Sequence, residues 1–161
     1  MNIKLLLIAV IILGIFILFY TFSFFSSDEN KIRNIIYEAK DATEKENIAK
    51  CIAFLSNTYQ DKDGNNKAML FRIIRHVFEV YRDIIVEIKL CEVDFEDQSS
   101  ARANIVCFGQ GKRKPRKKMT YSLDMQNVEF EAIFQKEGNA WKVIELRFIE
   151  PENFMQLLKG L

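Results

Sequence analysis

The hydrophobic pattern of this chain changes character twice. From Leu5 to Phe25 no residue is charged, and only Tyr20, Thr21 and Ser23 are polar. As a helix rising about 1.5 Å per residue, that run reaches roughly 32 Å, close to the ~30 Å hydrocarbon core of a bilayer. Most of it is Leu, Ile, Val or Phe, each worth roughly −0.3 to −0.6 kcal/mol near the middle of a membrane helix. The run is too long for an ordinary signal-peptide core and ends in the ring-crowded Phe22-Ser23-Phe24-Phe25. A signal-anchor is therefore expected at residues 5–25, after a tail at 1–4, with a cleaved signal peptide or a buried core helix as the alternatives. Residues 26–30 (Ser26, Ser27, Asp28, Glu29, Asn30) read as a linker, and 31–158 as the folded domain.

Beyond the linker the period is first 3.6. Ile32, Ile35, Ile36 and Ala39 recur at helical spacing. Glu46–Leu55 predicts a second, short helix. Lys67–Asp83 predicts the strongest one, with a stripe of Leu70, Ile73, Ile74, Val77, Phe78 and Tyr81. After Asp83 the period falls to 2. Val86, Ile88 and Leu90 alternate with Glu87 and Lys89, and then Cys91, Val93 and Phe95 take the opposite phase, as a β-bulge would cause. Ala101–Phe108 reads as the antiparallel partner and Gly109–Lys118 as a basic loop. Met119–Leu123, Val128–Gln135 and Trp141–Phe148 read as further strands, with a last helical turn through Phe154, Leu157 and Leu158. Helices followed by strands give an α+β fold: a transmembrane helix, then three helices packed on a curved, mostly antiparallel sheet of four to five strands.

Charge adds an orientation. Lys4 precedes the apolar run, while Asp28 and Glu29 follow it directly. So short a tail before a strong helix favours the N-terminus inside and the domain outside, although Lys31, Arg33 and Lys40 count against this. The expected location is thus the cell membrane, single-pass, with an extracytoplasmic C-terminal domain. All 22 acidic residues and every Lys or Arg but Lys4 lie beyond the run, so that part is neutral. Cys51, Cys91 and Cys107 show no metal-ligand or CxxC spacing and read as buried small hydrophobes, with one disulfide as the alternative.

Several local features resemble the nuclear transport factor 2-like superfamily, the cystatin-related cone fold. They are Ala42-Thr43-Glu44-Lys45-Glu46, Phe54-Leu55-Ser56, Tyr59-Gln60-Asp61 with Gly64, and Phe134-Gln135-Lys136-Glu137-Gly138 before Trp141-Lys142-Val143. The likeness is to small bacterial members, covers about Asn30 to Phe154, and implies three helices against a bent sheet. Each residue also has a structural role without it: Gly64 permits positive φ, Asp61 and Asp63 can bind turn amides, and Tyr59 and Trp141 offer apolar faces with one polar handle.

Enzymes of that superfamily place an Asp or His inside the cone, which the resemblance would require here for catalysis. His76, the single histidine, falls on the polar face of its helix beside Arg75 and Glu79, so general acid–base work has no owner and no catalytic residue is assigned. No cofactor or metal is expected. A candidate pocket comprises Tyr59, Trp141, Glu145 and Arg147, since Trp141 and Val143 share a strand phase with the last two; the alternative is a solvent face with cross-strand ion pairs. A candidate anionic-surface site comprises Lys112, Arg113, Lys114, Arg116, Lys117 and Lys118, which repel one another and attract anionic lipid or envelope polymers; a merely solvated loop is the alternative. Nothing aromatic is interleaved, so nucleic acid is disfavoured.

The expected function is a membrane-tethered protein-binding or scaffold module, with the bilayer as one partner through 5–25. The sheet face would meet a membrane-protein complex or a second copy. Inner-membrane scaffold subunits of type IV secretion systems share that arrangement of one helix and one such domain. The alternatives are a small-molecule or lipid-binding cone and, ranked last, an isomerase- or dehydratase-like enzyme. A closed cone with an apolar sheet face would fit the first, an apolar cavity of a few hundred Å3 the second, and a perturbed carboxylate in such a cavity the third.

Overall fold

The computed structural model describes residues 3–114, 122–124 and 128–149, without the side chains of 3–10, 16–26 and 122–124. Its elements in chain order are α1 (Ile3–Glu44), α2 (Ile48–Ala53), α3 (Lys67–Val80), β1 (Tyr81–Phe95), β2 (Ser100–Arg113), β3 (Ser122–Asp124), β4 (Val128–Glu137) and β5 (Ala140–Phe148). The antiparallel sheet runs β1-β2-β4-β5, with short β3 on the far end of β2. The α+β expectation holds in this form.

The first difference from the sequence reading is at residues 26–30, where no linker interrupts the chain. One helix passes from the apolar run into the domain. Nothing in Ser-Ser-Asp-Glu-Asn breaks a helix as Pro or Gly would, and Asp28 and Glu29 are bonded one turn on to Lys31 and Arg33. The apolar run and the first domain helix are thus a single element. Among the described residues no helix is long and apolar enough to cross a membrane. Of 5–25 only the side chains of 11–15 are described.

Beyond Asp28 this helix lies along the outer edge of β1. The Arg33 guanidinium donates to the Cys91 carbonyl, and Glu44 Oε1 accepts the Val86 N–H at 2.9 Å. Eleven helical residues and five strand residues each span about 16 Å, so the two bonds fix α1 antiparallel to β1. At the opposite edge residues 54–60 follow β5: Val143 N–H donates to Phe54, and Ser56 and Gln60 N–H donate to Val143 and Ile144. Both sheet edges are thereby occupied, which blunts edge-to-edge pairing. The turn before α3 is built as its residues suggest. Asp61 Oδ1 accepts the N–H groups of Asp63 and Asn65, Gly64 takes φ 79°, and Asn66 caps the helix.

Three irregularities bend the sheet, one of them at the start of β1 between Arg82 and Ile85, where Asp83 takes φ 52°. The phase change in β1 is a register shift between Ile88 and Leu90, as the alternation predicts. The third shift, where Ile133 pairs with Glu145 but Phe134 with Val143, leaves Ile144 unpaired in β5. Two element bounds also move. Helix α3 stops at Val80, and Tyr81 is already extended and paired with Arg113. The supposed loop from Gly109 is strand as far as Arg113, because Gly111 is an inward position against Tyr81 and Ile84, where an added Cβ would meet Ile84 Cγ1 at 3.4 Å. Strand β3 occupies Ser122–Asp124. The expected strand start at Met119 and the expected turn beyond Pro151 lie outside the described residues.

Candidate functional site

The inward face of the sheet is unevenly filled. At the hairpin end Phe95, Trp141, Ala101, Ala103 and Ile32 close the core, with Phe95 and Trp141 edge-to-face at 5.9 Å. Just outside them Asp28, 1% exposed, receives Lys136 at 2.6 Å and Lys31 at 2.8 Å. Burial alone would raise this carboxyl's pKa. The bonds from the two lysines outweigh it and hold the group below the ordinary carboxylate range.

Toward the other end the helix and the segment on the two edges stand apart and leave a cavity of about 250 Å3. Its floor is Ile36, Leu55, Ile105, Ala132, Phe134 and Val143, all buried. Lys40, Thr43, Cys51, Leu70, Ile74, Val86 and Cys107, each partly exposed, lie higher on the walls. The polar groups among them are already engaged. Lys40 Nζ is 2.8 Å from Glu44, and the Thr43 hydroxyl donates to the Ala39 carbonyl. Burial pushes the Cys51 and Cys107 thiols up, which keeps them protonated and poor as nucleophiles. Burial would also raise Glu44, but Lys40 and the Val86 amide hold it low and ionised. The low-pKa carboxyl of Asp28 lies outside the cavity, and no carboxylate or imidazole lines it. What the walls offer is an apolar shape.

None of the four residues proposed for the pocket lines it. Tyr59 and Trp141 are core side chains, 2% and 3% exposed. The Tyr59 hydroxyl is buried without a hydrogen-bond partner of ordinary geometry, and burial, then Asp61, raises its pKa. Glu145 and Arg147 lose the phase of Trp141 and Val143 because Ile144 bulges, so Leu146 turns inward instead. Glu145 and Arg147 pair by two 2.7 Å bonds on the outer face, in a network with Glu131, Arg102 and Glu96.

The cationic run is divided. Lys112 pairs with Asp83 at 3.4 Å, and Arg113 ends β2. Lys114 is a structural tie, donating to the Phe78 carbonyl at 2.5 Å and meeting Glu46 at 3.3 Å. Arg116, Lys117 and Lys118 lie outside the described residues. His76 is 45% exposed on its helix. All three cysteines are free thiols. The wall residues that the sequence reading did not single out are Lys40, Thr43 and the sheet's small inward residues. Their signal was the Ile35-Ile36-Ala39 stripe facing Ala132 and Cys107, side chains too small to fill the space between helix and sheet.

No protein-family model matches the chain, and no curated protein sequence matches it either. Solved structures do match. One is assigned as a scytalone dehydratase, from Novosphingobium aromaticivorans: TM-score 0.66, 12% identity, covering 78% of this chain and 87% of that one. A nuclear transport factor 2-like superfamily protein from Salmonella enterica gives 0.63 at 8% identity, covering 76% and 90%. A cystatin-like-fold protein of unknown function from Nostoc punctiforme gives 0.59 at 12%, covering 75% and 89%. Similarity at this level speaks for architecture and not for chemistry. The helix and the 54–60 segment clamped on the two sheet edges, the bent sheet and the hollow between them make this chain a bearer of the nuclear transport factor 2-like, cystatin-related cone fold.

Proposed function

We propose that this protein binds an apolar small molecule inside its cone while its N-terminal helix holds the domain at a cell membrane, on the extracytoplasmic side. The observation that carries the binding reading is the hollow of about 250 Å3 with an almost wholly apolar lining. It is larger than the ~150 Å3 engineered cavity that takes up benzene. A scaffold module has a closed cone as its simplest form, and the outer sheet face combines an ion network with the partly exposed Leu90, Val106, Phe108 and Ile133. An isomerase or dehydratase needs a proton-transfer group against the substrate, and the walls offer an ammonium already paired to Glu44, two thiols kept protonated by burial and a hydroxyl bonded to backbone.

Support for the anchor comes from the chain's own apolar run and from its described part. Ile11, Ile12, Leu13 and Ile15 are each about 60% exposed and, at 100° per residue, point to most sides of α1. Side chains so placed are stable against lipid and costly against water. The test is titration of the full chain, in detergent micelles or vesicles, with a neutral naphthylamine dye that brightens in apolar surroundings. Saturable binding is expected, and Ala132→Phe, which fills the hollow from its floor, should weaken it at least tenfold at unchanged helix content. Binding that ignores this substitution would place the dye elsewhere and refute the reading.

A further inference from the structure

The unbroken course of α1 gives the cone a direction relative to the apolar run. Asp28, the first described buried residue after that run, is bonded to Lys136 beside the β4–β5 hairpin. Glu44, sixteen residues and about 24 Å further along the helix, is bonded to Val86 near the start of β1. Glu46 then meets Lys114, just past the end of β2. The hairpin and the β1–β2 turn therefore lie at the near end of the domain. The start of β1, the end of β2 and the C-terminus of α3 lie at the far end.

The hollow is graded along the same axis. On α1 the buried floor residue is Ile36, and the partly exposed Lys40 and Thr43 come one and two turns later. On β2 the floor residue is Ile105, and the partly exposed Cys107 follows two positions on. Of the residues that line the hollow, the later ones on both elements are partly exposed, while Ala42, Gly109 and Gly111 beside and beyond them are buried and do not line it. Beneath the floor Ile32, Ala101, Ala103, Phe95 and Trp141 form a solid plug, and the Asp28–Lys136 pair seals it. Helix α3 borders the hollow through Leu70 and Ile74 and is tied at its two ends. Lys67 Nζ reaches the Leu55 carbonyl at 2.8 Å, and Lys114 reaches that of Phe78.

We infer that the mouth of the cone opens on the end of the domain opposite the apolar segment, so that the bound molecule is a water-borne hydrophobe received from the side facing away from the anchoring bilayer. This rests on the binding and anchoring just proposed. A lipid drawn sideways from the same bilayer would meet the plugged end instead. Lys112, Arg113 and Lys114 share the far end with the mouth, so a polyanion they meet also lies away from that bilayer.

The experiment uses the full chain in phosphatidylcholine vesicles carrying a headgroup nitroxide quencher, with a fluorescent amino acid at exposed Asn139 (near end) or exposed Lys45 (far end). Strong quenching at position 139 and little at 45 is expected. Equal or reversed quenching overturns the inference, and quenching at neither position overturns the anchor beneath it. In parallel, Thr43→Trp at the mouth should cut binding of the neutral naphthylamine dye at least tenfold, while Asn139→Trp leaves it unchanged. A loss from Asn139→Trp alone would put the mouth at the near end. Failure of the unmodified chain to bind dye would refute the binding reading separately, while leaving the quenching pattern to judge the direction of the cone.

Discussion

Replacing Asp28 tests how the helix is joined to the domain. The carboxylate is 1% exposed, and the Lys136 side chain that bonds it is 14% exposed. Asp28→Asn keeps the shape but leaves the Lys136 ammonium facing a neutral amide in a poorly hydrated place. Breaking a buried pair by removing one partner costs about 3–5 kcal/mol. Lys31, half exposed, regains water and adds little to that cost. For a domain of this size about 3 kcal/mol lowers Tm by roughly 10 °C. The pH dependence follows in sign. Because the folded pKa is depressed, the stabilising contribution is present above the unfolded value near 3.8 and is lost as pH falls through the lower folded value. The wild type should therefore lose stability on acidification below about pH 4, and Asp28→Asn should lose less over the same interval. Thermal unfolding of the full chain in detergent, followed by Trp141 fluorescence at pH 7 and pH 3, measures both effects. Adding Lys136→Met to Asp28→Asn should recover part of the loss, since it removes the half of the buried pair that stays charged. A Tm change under 2 °C for Asp28→Asn at pH 7 would refute the reasoning.

Three further substitutions separate core, edge and surface. Phe134→Ala, at a side chain 1% exposed on the cavity floor, should cost about 3–5 kcal/mol by denaturant unfolding. Glu44→Ala leaves the Val86 N–H without its partner and frees the Lys40 ammonium. A loss of about 1–3 kcal/mol is expected, with faster amide exchange at Val86. Arg147→Ala, on the outer face at 32% exposure, should cost no more than about 1 kcal/mol and leave dye affinity unchanged. A large loss of affinity there would return Glu145 and Arg147 to the pocket.

Much of the domain was legible because its signals are local. The bulge in β1 is written as a phase flip between Leu90 and Cys91, and the turn before α3 is written in Asp61 and Gly64, although Asp63 serves there as a backbone donor and Asn66 supplies the cap. The bulge in β5 was not legible. Trp141, Val143, Glu145 and Arg147 alternate without a break, and only the pairing of Phe134 with Val143 beside Ile133 with Glu145 reveals that Ile144 is skipped. That one residue moves two charges from the interior to the surface, where charged groups cost far less. The second miss, strand instead of loop at Gly109–Arg113, has a similar origin. Glycine carries no periodicity, and its inward role at Gly111 depends on Tyr81 and Ile84 arriving from another strand. A hollow is harder still to read, because it is set by the distance between elements and no residue pattern states it.

The hollow follows from how the edges are covered. Arg33 and Glu44 hold α1 at the margin of β1, and the 54–60 backbone holds the next segment at the margin of β5, so neither lies over the middle of the sheet. The middle strands there offer Ala132, Ile105 and Cys107, and the Phe130 and Phe134 rings of β4 line the hollow without closing it. At the near end the same sheet carries Phe95 and Trp141, whose rings do reach across, and the fold is solid. The cone is thus open or plugged according to side-chain volume at successive inward positions, while backbone geometry stays alike. If that is right, volume alone should convert one into the other. Cys107→Phe together with Ala132→Leu should close the hollow, abolish dye binding and leave the Asp28–Lys136 seal and its acid sensitivity intact. Retained dye binding in that variant, with the fold preserved, would show that the gap is set by the helices and that the sheet's side chains do not govern it.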